Sequence, residues 1–175
     1  MRAVKLFLVL SAALLAHLVC TRLMPSFPQR LDIFLVVVVL HALEGNSFSA
    51  LLFGLLAGLV QDSLSGGPFG LYGFADTAVA YGAARLAQRL VIQRATGVFS
   101  VVSFASLLQL VILASLAFLL LPNPSLPDPL TLLEQAAAKA IACGILGMLL
   151  YTVSGRLRST VDARRRGRMG RLRLE

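Results

Sequence analysis

The chain has 175 residues, of which 58% are hydrophobic and only 14% charged, with a net charge of +8. Ordinary soluble domains carry roughly a quarter charged residues, so this balance excludes a typical soluble enzyme domain and indicates an integral membrane protein. At about 20 residues per spanning helix, the length suits one compact all-α bundle and leaves no room for a folded soluble domain.

The opening stretch MRAVKLFLVLSAALLAHLVC joins a basic start to an apolar run, as a secretory signal peptide does. No small-x-small cleavage site follows, and HLVC lacks the small residue expected before a lipidated cysteine, so residues 4–21 read as an uncleaved first span. Cys20 and Cys143 both sit in or at the end of apolar runs, as small buried hydrophobes rather than parts of a disulfide framework or metal site. A second span is placed at 29–43. Only Ile33 to Leu43 is free of charge there, which is too short to cross a bilayer unaided. Arg30 and Asp32 would have to reach the headgroups, the bilayer would have to thin, or the segment would have to be re-entrant.

The third span, 45–61, carries Gly54 and Gly58 as a GxxxG step, a pattern that lets helix backbones approach. It runs into Asp62 and then into SLSGGPFG, where Gly66, Gly67 and Gly70 around Pro68 read as a tight turn. A phosphate loop would need a lysine there, and none is near. The fourth span, 69–86, contains Asp76. The fifth, 97–121, has no ionisable residue and bears a slanting polar ridge of Ser100, Ser103, Ser106 and Gln109. The sixth, 132–153, contains Lys139 and the close pair Gly144 and Gly147.

Charge sets the expected topology, because short cytoplasmic loops collect Lys and Arg. With the N-terminus inside, the inner segments hold Arg2 and Lys5, then Arg85, Arg89 and Arg94, then eight arginines from Arg156 to Arg173. The outer loops hold only Arg22 and Arg30, together with all seven prolines. Both termini are therefore expected inside, with residues 1–155 as the membrane domain and 156–175 as a basic cytoplasmic tail. Anionic lipid attracts such a tail by about 1 kcal/mol per basic residue. A cytoplasmic partner is the alternative, whereas nucleic acid is not expected, since the tail has no aromatic residue for stacking.

Ionisable groups at membrane depth are costly unless paired or hydrated. Asp76 and Lys139 each lie seven or eight residues into their spans, on the order of 10 Å deep, so they are expected to face inward and pair, with Asp62 or Glu134 as possible additions. A register-fixing ion pair and a proton or substrate pathway both fit that expectation. Asp62 and Asp76 do not read as a protease dyad, because a Gly-Pro turn and different depths separate them. His17 and His41 are single residues on separate apolar helices, with no i, i+4 pair to hold a metal.

GLLAGLVQDSLSGGPFGLYGF, Gly54 to Phe74, resembles the signature of the MreD family of bacterial rod shape-determining proteins. Gly54, Gly58, Asp62, Leu64, Ser65, Gly66 and Gly70 occupy the family's motif places, while Asp76 and Gln61 stand where the family more often has apolar residues. The resemblance implies a six-helix inner-membrane bundle similar to the substrate-binding subunits of energy-coupling-factor transporters. It also implies no enzymatic activity, no cofactor, and a scaffold role in the cell-elongation machinery. The implied partners are MreC directly, with RodA, its partner transpeptidase and MreB in the same assembly, and the implied consequence is regulation of peptidoglycan synthesis. In this reading Gly54 and Gly58 open a groove for a helix of MreC, and Asp62 accepts backbone N–H groups of the turn that follows it. A small-solute or lipid transporter subunit is the competing reading, and it requires a cavity lined by Asp76, Lys139 and the Ser100 to Gln109 ridge.

Overall fold

The computed structural model describes residues 2–23, 31–44, 46–89, 95–120 and 129–171. The proline loops at 24–30 and 122–128, Arg94 and the side chains of the basic tail lie outside what is described. Among the described residues there are six helices: α1 (Arg2–Leu23), α2 (Ile33–Ala42), α3 (Ser47–Ser65), α4 (Leu71–Arg89), α5 (Ala95–Leu120) and α6 (Pro129–Arg171). Four of them, counting Thr131–Gly155 of α6, are long and apolar enough to cross a membrane. Helix α4 has a sufficient 19 residues but carries Asp76, Arg85, Gln88 and Arg89. Helix α2 has only 10 residues, a rise of about 15 Å against the roughly 30 Å of a hydrocarbon core.

The position of α2 explains how so short an apolar helix is tolerated. It contacts all five other helices, and Phe34, Leu35, Val36, Val38 and Val39 are fully buried. A helix that is apolar on every side belongs in a core; enclosed by protein, α2 does not need to reach both bilayer faces. Four consecutive valines would favour a strand in water. In hydrocarbon each backbone N–H and C=O must be satisfied internally, and an isolated segment can do this only as a helix. Asp32 starts that helix as its N-cap, accepting the Leu35 N–H at 3.1 Å. The expectation that Asp32 reaches the headgroups is thereby corrected: it is buried at the centre of the bundle.

Helices α3 and α4 form an antiparallel hairpin whose backbones touch. A Cβ on Gly54 would stand 2.7 Å from the Asp76 carbonyl oxygen and 2.8 Å from Ala80 Cβ. One on Gly58 would collide with the Tyr72 carbonyl oxygen and lie 2.6 Å from Gly73 Cα. Both glycines are buried. The groove they open is filled by α4 of the same chain, which corrects the expectation that it receives a partner's helix. The pair α5 and α6 also packs on glycines, here against side chains rather than backbone: a Cβ on Gly147 would press on Val102 at 2.8 Å, and one on Gly144 would meet Phe99 and the Ser103 hydroxyl.

Gly58→Ala should therefore force two backbones apart and lower stability by about 1–3 kcal/mol. Gly82 lies on the same hairpin but has nothing within 4 Å of its added Cβ, so Gly82→Ala should be neutral or stabilise by up to about 1 kcal/mol. Thermal unfolding of the two variants in detergent checks the contrast.

Candidate functional site

Five helices bring polar side chains to one buried point. Asp32 comes from the start of α2, Gln61 from α3, Asp76 from α4, Gln109 from α5 and Lys139 from α6, and none is more than 8% exposed. Asp32 Oδ2 is the common acceptor. It takes hydrogen bonds from Gln61 Nε2 at 2.8 Å, Gln109 Nε2 at 3.1 Å and Lys139 Nζ at 3.3 Å. Gln109 Nε2 also donates to Asp76 Oδ1 at 2.7 Å, and its Oε1 accepts from Lys139 Nζ at 3.1 Å. Cys143 borders the cluster, its sulfur accepting the Asp32 backbone N–H at 3.4 Å.

The expected pairing of Asp76 with Lys139 takes a different form. The ammonium pairs with Asp32, and Asp76 reaches it only through Gln109. The reason is geometric: Asp32 lies at the axis of the bundle, at the N-terminus of α2, where the carboxylate also faces unsatisfied helix N–H groups. Glu134 is exposed and takes no part. Along the α5 ridge, Ser103 donates to the Ala140 carbonyl oxygen at 3.0 Å, whereas Ser100 is exposed and bonds the Thr96 carbonyl oxygen of its own helix. Ser106 Oγ, Gln61 Oε1 and Asp76 Oδ2 are buried without a hydrogen-bond partner among the described residues. Among the described residues no group of three His, Cys, Asp or Glu side chains is arranged to hold a metal.

A second polar centre closes the α3–α4 hairpin. Asp62 accepts three backbone N–H groups: Gly70 at 3.0 Å and Gly73 at 2.9 Å through Oδ2, and Tyr72 at 2.9 Å through Oδ1. Only Gly70 belongs to the turn, and the other two are orphan donors of the first turn of α4, so Asp62 caps a helix that lies after it in sequence. Gly66 ends α3 in the left-handed region at φ 67°, and Gly70 holds φ 102°, a conformation that a side chain would strain. Leu64, Ser65 and Gly67 are exposed around this turn, with Ser65 Oγ donating to the Asp62 carbonyl oxygen at 3.0 Å.

The histidines occupy separate places. His17 is buried against Phe34, with ring centroids 5.3 Å apart. His41 stacks near Phe53 and lies 3.0 Å from Ser49 Oγ and 3.7 Å from Glu44.

The glycine-spaced α3, the Asp62 cap and the glycine turn form one local unit. A family model described as rod shape-determining protein MreD matches residues 2–153. The chain belongs to the MreD family. Membership assigns it to rod-shape determination, in a membrane that its apolar helices can cross. Neither the curated proteins nor the solved structures show a match to the chain. Gln109 belongs to the polar ridge expected on α5, whereas Asp32 and Gln61 are members of the cluster that were not expected as partners of Lys139. Their signal was present, since each is a polar residue inside or beside an apolar run.

Removing one partner from a buried ion pair costs about 3–5 kcal/mol, because the other charge stays unpaired. Lys139→Met is expected to destabilise by that order, and adding Asp32→Asn should restore much of the loss. Asp76→Asn, which keeps the oxygen that accepts from Gln109, should cost less than Asp32→Asn alone. Thermal unfolding of all four variants in one detergent measures the ranking; equal costs at Asp32 and Asp76 would contradict it.

Proposed function

We propose that this protein is a non-enzymatic scaffold of the bacterial cell-elongation machinery. It binds MreC in the inner membrane and thereby influences peptidoglycan synthesis, within an assembly that includes RodA, its partner transpeptidase and MreB. The observation that carries this reading is the family match over 152 of 175 residues, counted from 2 to 153. The bundle lies in the membrane as six segments similar to an energy-coupling-factor substrate-binding subunit, with both termini cytoplasmic and the arginine-rich tail on anionic lipid. The distribution of Arg and Lys supports that orientation.

Two features favour a scaffold over a transporter subunit. The transporter reading needs a cavity lined by Asp76, Lys139 and Gln109, and these three side chains are buried, with Gln109 hydrogen-bonded to both others. The α3–α4 hairpin, in contrast, is braced at one end by Asp62 and along its length by glycine contacts, as suits an element that holds a partner at a fixed angle. In this role Asp62 is a positioning residue, and the MreC contact lies on an exposed apolar face other than the Gly54 and Gly58 stripe.

The test is a membrane pull-down with MreC from the same cell, after each variant is checked for insertion and folding. Wild type should retain MreC. Asp62→Asn keeps one acceptor oxygen and should retain most of it, whereas Asp62→Leu releases the start of α4 and should lose at least about fivefold, a loss of about 1 kcal/mol in binding. Full binding by the Leu variant would remove Asp62 from this role, and no binding by wild type would remove MreC.

A further inference from the structure

The buried polar cluster does not balance its charge. It holds two carboxylates, Asp32 and Asp76, against one ammonium, Lys139. Lys139 pairs with Asp32 at 3.3 Å. Asp76 receives the neutral amide of Gln109 at 2.7 Å on Oδ1, and its Oδ2 has no partner among the described residues. An amide hydrogen bond orients a carboxylate without neutralising it. With all three groups ionised, one negative charge would stand unpaired between protein and hydrocarbon, where ionised groups are costly.

The surroundings of Asp76 do not supply the missing charge. Helix α4 packs on α2, α3 and α5. Among their described residues, α5 has no ionisable side chain, α3 has only Asp62, and α2 has Asp32 at its start and His41 at its far end. Asp32 and Asp62 act on Asp76 with its own sign, and Lys139 alone acts against them. The phenol of Tyr72, one turn earlier on α4, carries no positive charge in either protonation state. Arg85 and Arg89, further along α4, are exposed. The unpartnered atoms are also of one kind: Asp76 Oδ2, Gln61 Oε1 and Ser106 Oγ are oxygens, from α4, α3 and α5. Such oxygens attract cations, and a divalent ion would overshoot a deficit of one charge. We propose that the polar cluster binds one monovalent cation, a proton or a sodium ion, at the unpartnered oxygen of Asp76. Filled, the cluster is neutral. Empty, it leaves net charge at the point where five helices meet.

The test is thermal unfolding of the full-length protein in detergent. One series lowers the pH from about 8 to about 6 at fixed salt; the other exchanges choline chloride for sodium chloride at fixed ionic strength. A cation bound only by the folded bundle stabilises it with the logarithm of its concentration, so each tenfold rise should raise Tm by about 3–5 °C. A proton gives that slope as pH falls, because the folded chain then holds one proton more than the unfolded chain; sodium gives it in the second series. Asp76→Asn removes the deficit and should lose the slope. Asp32→Asn should lose it as well, since Lys139 then balances Asp76, whereas a merely structural Asp76 would not respond to a change at Asp32. The double variant Lys139→Met with Asp32→Asn deletes one charge of each sign and should keep the wild-type slope. Histidines titrate in the same pH range but are common to all variants, so the differences between slopes are compared. Asp32→Asn and the double variant decide the matter if Asp76→Asn fails to fold. A wild-type slope retained by either asparagine variant, or missing from wild type in both series, would overturn the site.

Discussion

The bundle depends on one carboxylate. Asp32 Oδ2 receives donors from α3, α5 and α6, and Gln109 extends the same network to α4. In hydrocarbon no water can substitute for a lost partner, so each of these side chains constrains the rotation and depth of the helix that carries it. An ion pair of this kind need not add net stability over an apolar core. Its effect is selective: a helix rotated or shifted by one residue leaves a buried polar group unpaired. The apolar contacts around α2 supply cohesion without direction, and the polar cluster supplies the register.

Much of the architecture can be read from the chain, and the failures have physical causes. The uncharged run from Gly97 to Leu121 marks α5 by length alone, and the helix observed is Ala95–Leu120. The Asp62 contacts span only 8 to 11 residues, so local turn chemistry points to them. Gly54 and Gly58 announce a close approach, but a stripe of small residues does not identify the helix that uses it; the neighbour in sequence, α4, does. Asp32 was misplaced because depth was counted as though its helix crossed the membrane. The sequence of α2 held the corrective signal, since a ten-residue segment apolar on every side is a core helix. Lys139 was assigned to the carboxyl at matched depth, and choosing between two carboxyls 44 residues apart in sequence requires the tertiary arrangement.

Two glycine interfaces mark two hairpins: α3 with α4, where backbones touch, and α5 with α6, where side chains of α5 pack on the glycines of α6; α2, the polar side chains and the contact of α4 with α5 join them. In lipid, packing and interhelical hydrogen bonds replace the hydrophobic drive that holds soluble helices together. This arrangement leaves much of α1 and the outer face of α5 to the membrane, where Phe7, Leu15, Phe104 and Phe118 are exposed.

The brevity of α2 also bears on how the protein is made. A segment of ten apolar residues is a poor substrate for independent insertion by the translocon, which favours stretches of about 20. The cation that neutralises Asp32 lies 107 residues later. As synthesis proceeds from the N-terminus, α2 emerges long before Lys139, and it must wait at the membrane surface or in the shelter of its neighbours until α6 arrives. Assembly of this bundle is therefore completed from its last helix inward, and a nascent chain cut off before Lys139 lacks the residue that fixes its first buried charge.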